Sequence, residues 1–308
     1  MNDDPREPPP RPAKRLKRWA RYALVRVALA VVSVLPARFA SGLGDRFGAL
    51  AFHVARGERR KALASLERAF PALGQEARAA LALSMFRHLG RCAFELACVS
   101  QLDARIDSWV EWPEADRKVL ETALARGKGV VFVSGHVGNW ELLARRIALA
   151  GFPCQTIAKE TTDFRLTALV ERFRASARLK SIWRGQGGAA KQMLRALRSG
   201  EVLGLLIDQD TRAQSVFVPF FGHPAATPRA AADLAGRTGA AVLLGFCQRR
   251  EGRYRLSLRE VALPVLDDRD AFARELTARL TDGIEVAIRA APEQWVWMHQ
   301  RWKTPPPT

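Results

Sequence analysis

The chain has 308 residues, 48% of them hydrophobic, and a formal net charge of +18 from 49 Lys and Arg against 31 Asp and Glu. Such a chain can bury a sizeable core, which excludes extensive disorder outside the ends and suits one large domain with at most a small N-terminal module. The charge points to a polyanionic partner, whether nucleic acid, an anionic membrane surface or an acidic protein, while four cysteines without metal-ligand spacing read as free, buried, reduced thiols.

Residues 1–13, with Pro8, Pro9, Pro10 and Pro12, read as a disordered tail. A basic cluster follows (Lys14, Arg15, Lys17, Arg18, Arg21) with Trp19 and Tyr22 interleaved, then an apolar stretch from Ala23 to Leu35 that Arg26 interrupts and Pro36 ends. Residues 14–40 are thus expected to be a basic flank and membrane-anchor helix, spanning with Arg26 snorkelling or lying in the interface, with an ordinary core helix behind a basic tail as the plain alternative; the stretch is short for a span, which needs about 20 apolar residues. Helices are expected over 57–70 and 75–100 on the apolar stripes Leu63, Leu66, Phe70 and Leu81, Met85, Leu89.

From about residue 114 the pattern alternates. Helix 114–126, the wholly apolar strand 129–134, helix 139–150, strand 154–158, helix 163–178, strand 180–183, helix 188–198 and strand 202–207 follow one another. Thr227-Pro228 carries the N-cap and first-turn signature of a further helix closed by Gly239. Strands 241–247 and 254–261 are joined at Glu251-Gly252, and a last helix spans 268–290. This alternation predicts an α/β fold with a mostly parallel central sheet flanked by helices, residues 41–303 forming the main domain and 304–308 a tail.

The chemistry concentrates in Ser134-Gly-His-Val-Gly-Asn-Trp-Glu141, where a buried strand gives way to a helix. In open α/β sheets ligands bind at the carboxyl ends of strands, and a helix N-terminus offers amides to an oxyanion. With His136 in the turn and Glu141 in the first helical turn, the carboxylate is expected to fold back onto the imidazole, fixing its tautomer as acids do in hydrolytic triads. No nucleophile elbow accompanies the pair, so His136 would activate a substrate hydroxyl directly. A capped helix start with a surface histidine is the plain structural alternative.

Gly135-His-Val-Gly-Asn-Trp-Glu141 resembles the His-x4-acid motif of the bacterial lipid A biosynthesis acyltransferases. Arg60-Lys-Ala-Leu-Ala-Ser-Leu-Glu-Arg-Ala-Phe-Pro71 is similar to that family's early helix. Asp208-Gln209-Asp210 with Val216-Phe-Val-Pro-Phe-Phe-Gly222 and Ala226-Thr227 resembles its central block. Pro292-Glu-Gln-Trp-Val-Trp-Met-His-Gln-Arg-Trp-Lys303 resembles its C-terminal signature. The matches stand in order from about residue 14 to 303. They imply a glycerol-phosphate-acyltransferase-like fold and an enzyme of the cytoplasmic face of the inner membrane. Its acyl chain would come from acyl carrier protein and go to a hydroxyl of a lipid A precursor or related membrane lipid, with no metal or organic cofactor. His136 and Glu141 carry over as the catalytic pair; Arg174, Asp208, Asn139 and Gln209 are expected to bind substrate, with Arg178 standing where glycine is expected.

Other residues stay open at the level of sequence. Asp208 could organise the site or hold Arg174. Phe217, Pro219, Phe220 and Phe221 suit an acyl groove or plain loop packing; Trp295 and Trp297 read as core, and His299 is a further site candidate. A basic nucleic-acid-binding protein would also explain the charge and aromatics. No finger, RNP or helix-turn-helix signature supports it, and it leaves Gly135–Glu141 without a role, so no nucleic-acid partner is expected.

Overall fold

A computed structural model of the protein describes residues 12–185 and 187–306. Most of the expected tail over 1–13 lies outside these residues, and a helix already begins at Pro12. In chain order the elements start with helices: α1 (Pro12–Ser33), α2 (Ala37–Val54), α3 (Arg56–Ala69), α4 (Gln75–Ala97) and the short α5 (Val99–Asp103) and α6 (Ile106–Trp109). Alternation follows, through β1 (Val110–Glu111), α7 (Glu114–Ala125), β2 (Val130–Ser134), α8 (Trp140–Leu149), β3 (Cys154–Lys159), α9 (Phe164–Ala175), β4 (Lys180–Arg184), α10 (Ala189–Arg198) and β5 (Val202–Leu206). The chain ends with β6 (Ser215–Phe220), β7 (His223–Pro228), α11 (Ala230–Thr238), β8 (Ala241–Arg250), β9 (Arg253–Glu260) and α12 (Arg269–Ala290).

Seven strands form one sheet in the order β1-β9-β8-β2-β5-β3-β4, parallel throughout except for the β8–β9 hairpin, whose turn holds Glu251 and Gly252 at positive φ. The sheet is covered on both sides, as a parallel sheet must be. Side chains alternate between two cores. Val131, Val133, Leu203, Leu205, Val242 and Leu244 face one cluster with α4, α11 and α12, while Val130, Phe132, Val202 and Leu243 face the other with α7 and α8. All four cysteines are free and buried.

Three features depart from the sequence expectations. Thr227-Pro228 does not start a helix: both residues end β7, α11 begins at Ala230, and the Thr227 hydroxyl donates to Ala225 O and accepts from buried Arg301. The apolar run 216–221 is not a loop but the β6 arm of a hairpin, with Phe220 and Phe221 buried in the core. Residues 37–54 form a helix that the sequence reading passed over, and among the described residues no helix is long and apolar enough to cross a membrane.

The first two helices instead carry outward apolar faces. Leu24, Val27 and Val31 of α1 and Phe39, Phe47, Leu50 and Val54 of α2 are exposed at helical spacing. The last turn of α1 is capped by side chains, with Cys98 Sγ on Val32 O (3.2 Å) and Gln101 Nε2 on Ser33 O and Leu35 O (2.9 Å each), so its terminal carbonyls are satisfied. The inward face of α2 is small: a Cβ at Gly44 or Gly48 would collide with the backbone of Gly90 or Phe86 on α4, so the two helices meet backbone to backbone.

Candidate active site

The site is made by two neighbouring parallel strands. β2 and β5 pair with Ser134 opposite Leu206, and two residues beyond each stand His136 and Asp208. Asp208 is buried and accepts from His136 twice, from the backbone amide on Oδ2 at 2.6 Å and from ring Nδ1 on Oδ1 at 2.8 Å. The Trp295 indole donates to the same Oδ2 at 2.7 Å. Burial pushes the Asp208 carboxyl up, but the His136 ring's charge and bonds and the indole together overcome it and hold the group at about 2. A carboxylate ionised at neutral pH only accepts, so the Nδ1 proton belongs to His136, and Nε2 is the ring nitrogen at which a proton is exchanged.

This corrects the expected pairing. The carboxylate bonded to the His136 ring is Asp208, whereas Glu141 forks onto Arg174, with Oε2 accepting from Nε at 3.1 Å and Oε1 from Nη2 at 2.5 Å. Arg174 completes its donors on Ser181 Oγ at 3.2 Å, so Asp208 does not hold it. The Glu141–Arg174 pair ties α8 to α9 one helical turn from the histidine. Arg178, three residues after α9, adopts φ +60°, with Leu179 N bonded to Arg174 O and Arg178 N to Ala175 O; this is the left-handed helix cap that favours glycine.

Asn139 is the N-cap of α8: its side-chain oxygen accepts from Leu142 N at 3.1 Å, and its amide bonds Cys247 O. Its Nδ2 is buried with no hydrogen-bond partner among the described residues. Gln209 Nε2 lies 3.1 Å from His136 Nδ1 and 3.0 Å from Nε2. An atom equidistant from both ring nitrogens sits over the ring and off the Nε2 lone-pair axis, which is left for another partner. Gln209 also meets His299, whose ring packs 5.5 Å from that of His136 and which burial pulls down to about 4, so it is neutral at pH 7.

Two supports were not legible in the sequence. The C-terminal segment lies along the motif: Gly138 N donates to Gln294 O at 2.9 Å, Val137 bridges Trp295, and Trp295 holds Asp208. From the other side, buried His88 of α4 donates through Nε2 to Gly138 O at 3.1 Å, fixing a turn in which Gly138 has φ +67°. Neither contact shows in the local sequence pattern, because both polar ends meet partners far away in the chain.

Next to Trp140, a narrow apolar cavity of about 50 Å³ opens between the sheet and α8. Ser134, Trp140, Glu141 and Arg174 stand among its lining residues, and the Trp140 ring packs 4.9 Å from that of His136. Among the described residues no group of three His, Cys, Asp or Glu side chains is arranged to hold a metal ion. The arrangement suits proton abstraction: an imidazole whose Nδ1 is held by a buried carboxylate, close to an apolar cavity.

Comparison with known proteins gives concordant results. The profile of the bacterial lipid A biosynthesis acyltransferases matches residues 11–304. The chain is 29% identical to the lipid A biosynthesis palmitoleoyltransferase of Escherichia coli (strain K12) over 273 residues, 86% of this chain and 85% of that protein. It is 27% identical over 298 residues to the lipid A biosynthesis lauroyltransferase of the same organism, 94% and 92% of the two chains. A phosphatidylinositol mannoside acyltransferase of Mycobacterium tuberculosis (strain CDC 1551 / Oshkosh) is 28% identical over 185 residues, 59% of this chain and 57% of that one.

Proposed function

Because the chain belongs to the bacterial lipid A biosynthesis acyltransferase family and is an acyltransferase, we propose that it moves a fatty acyl chain from acyl carrier protein to a hydroxyl of a lipid A precursor. His136 Nε2 takes the proton of the acceptor hydroxyl as its oxygen attacks the thioester carbonyl. The resulting tetrahedral oxyanion collapses, the carbon–sulfur bond breaks, and the leaving thiolate takes the proton back from the imidazolium. Asp208 holds Nδ1 throughout, so the ring neither rotates nor changes tautomer. In this scheme the amides of Trp140 and Glu141, which begin α8 and have no intrahelical acceptor, are the donors that receive the oxyanion.

Within this scheme Glu141 acts with Arg174 as a positioning pair that joins α8 to α9 beside the cavity, where the acyl chain of the donor is taken up. Gln209, over the ring face, is a polar group available to the bound substrates, while Asn139 caps α8 beside them. The enzyme works at the cytoplasmic face of the inner membrane, with the exposed apolar faces of α1 and α2 in the headgroup layer. Lys17, Arg18, Arg21, Arg26, Arg38 and Arg46 on these helices then meet anionic lipid. A phosphorylated acceptor and an acidic carrier protein both suit a chain of net charge +18.

The observation that carries this reading is the Asp208–His136 pair, packed against Trp140, which lines an apolar cavity. His136→Ala should lower acyl transfer by about 10²–10⁴-fold while the protein stays folded. Mass spectrometry of lipid A from cells with and without the protein reads the acceptor directly: a missing secondary acyl chain supports the proposal, and an unchanged pattern in expressing cells sinks it. The likeness to a phosphatidylinositol mannoside acyltransferase supports a second reading, in which the acceptor is another membrane glycolipid; a changed glycolipid profile with unchanged lipid A would favour it.

A further inference from the structure

The cavity beside Trp140 has a direction. Its walls include Leu206 and Ser134 at the catalytic edge of the sheet, and Val202 and Cys154, the first residues of β5 and β3, at the opposite edge, with Ile147 above them. The lining residues of β5, from Leu206 to Val202, span four steps of about 3.3 Å, or about 13 Å. Burial pushes the Cys154 thiol up to about 12, so the far end is neutral and apolar.

Halfway along stands Gly204. On the sheet face that carries the cavity, its neighbours in register are Phe132 of β2 and Thr156 of β3. A phenylalanine beside a strand glycine ordinarily folds over it and fills the vacancy. Here the ring goes elsewhere: a Cβ placed on Gly245 of β8 would meet Phe132 Cζ at 2.6 Å, so the ring lies over Gly245. Gly204 is left bare, and a Cβ built on it would meet Thr156 Cγ2 at 3.1 Å and otherwise project into the slot. β5 is a central strand of small and branched residues with no turn, positive φ or close backbone approach at 204, so nothing in the backbone asks for glycine.

We propose that Gly204 is the determinant of acyl chain length: the chain lies along β5 with its carbonyl at His136, passes over Gly204, and ends against Cys154, Val202 and Ile147. A side chain at 204 stops it halfway, while a smaller residue at 147 lets it run deeper. The proposal rests on the acyl-transfer reading and adds the residues that measure the donor.

The test is a donor profile. Purified full-length wild type, Gly204→Ala, Gly204→Val and Ile147→Ala are given acyl carrier protein loaded with saturated chains from octanoyl to hexadecanoyl, and kcat/KM is measured for each. For Gly204→Val the longest chain the wild type accepts should fall at least about tenfold, since one methylene in an apolar pocket carries that much discrimination, while octanoyl transfer stays close to wild type. Gly204→Ala should shift the profile in the same direction by less, and Ile147→Ala towards longer chains. Should the valine variant fail to fold, the alanine and Ile147 variants carry the test. A profile unchanged in the folded variants, or lowered equally for every chain length, overturns the assignment while wild-type transfer stands. Wild type that transfers no chain from any donor overturns it together with the proposed function.

Discussion

Both oxygens of Asp208 are occupied, one by the imidazole Nδ1 and the other by the His136 amide and the Trp295 indole. An amide in its place presents a donor to one of these groups and cannot hold all three. Asp208→Asn should therefore leave the fold intact and reduce kcat by about 10⁴-fold, the effect of the same change in a protease triad; steady-state kinetics beside a circular dichroism spectrum would check this, and near-wild-type kcat would remove Asp208 from the mechanism. The sequence held both partners as candidates yet joined His136 to Glu141. Local spacing suggests what lies within a turn, whereas the His136–Asp208 pair is made by the register of β2 against β5, 72 residues apart. Arg178 taught the reverse lesson: a residue out of keeping with the family pattern turned out to occupy the left-handed position that a glycine would fill.

At the scale of elements, α2 is the clearest departure from expectation. Its exposed face is apolar and its buried face is made of Ala40, Gly44, Gly48 and Phe52, which inverts the pattern by which a surface helix is recognised. That inversion also predicts behaviour. Replacing Phe39 and Leu50 together by serine should weaken binding to phosphatidylglycerol vesicles by about tenfold or more, from the apolar area withdrawn. Flotation of the two proteins through a density gradient reads the difference; equal partition would place the membrane contact elsewhere. The β6–β7 hairpin was missed for a related reason: proline on both arms reads as loop, but Pro219 and Pro224 face each other on a two-stranded edge where neither owes a hydrogen bond to a larger sheet. The strands and helices from 114 to 206 were legible to within a few residues because the central strands β2 and β5 are covered on both faces and run apolar, and the flanking elements alternate regularly around them.

For the molecule as a whole, strand–helix alternation was enough to predict a mostly parallel sheet, while strand order, which alone decides what meets at the site, lay outside any local pattern. Stability should also report the buried imidazoles. Burial pulls His88 and His299 from 6.5 to about 4. Between these values the unfolded chain binds protons that the folded one refuses, so stability is full above pH 6.5 and falls as the pH drops towards 4. Urea titrations at a series of pH values should show that slope, reduced in His88→Gln; a flat profile would mean that neither ring is buried neutral. Finally, consider what the bare contact at Gly90 joins. On one side of it lies α2; two residues before it on α4, His88 grips the Gly138 carbonyl next to the reacting histidine. Backbone meets backbone there, flanked by Phe47 on Phe94 and Phe52 on Phe86, so a displacement of α2 passes to α4 and through His88 to the turn that carries His136. With α2 among lipid headgroups as proposed, the imidazole would stand at one height above the bilayer, and selection among acceptors would begin as surveying: a hydroxyl at that height is used, and one higher or lower is passed over before any pocket has read its shape.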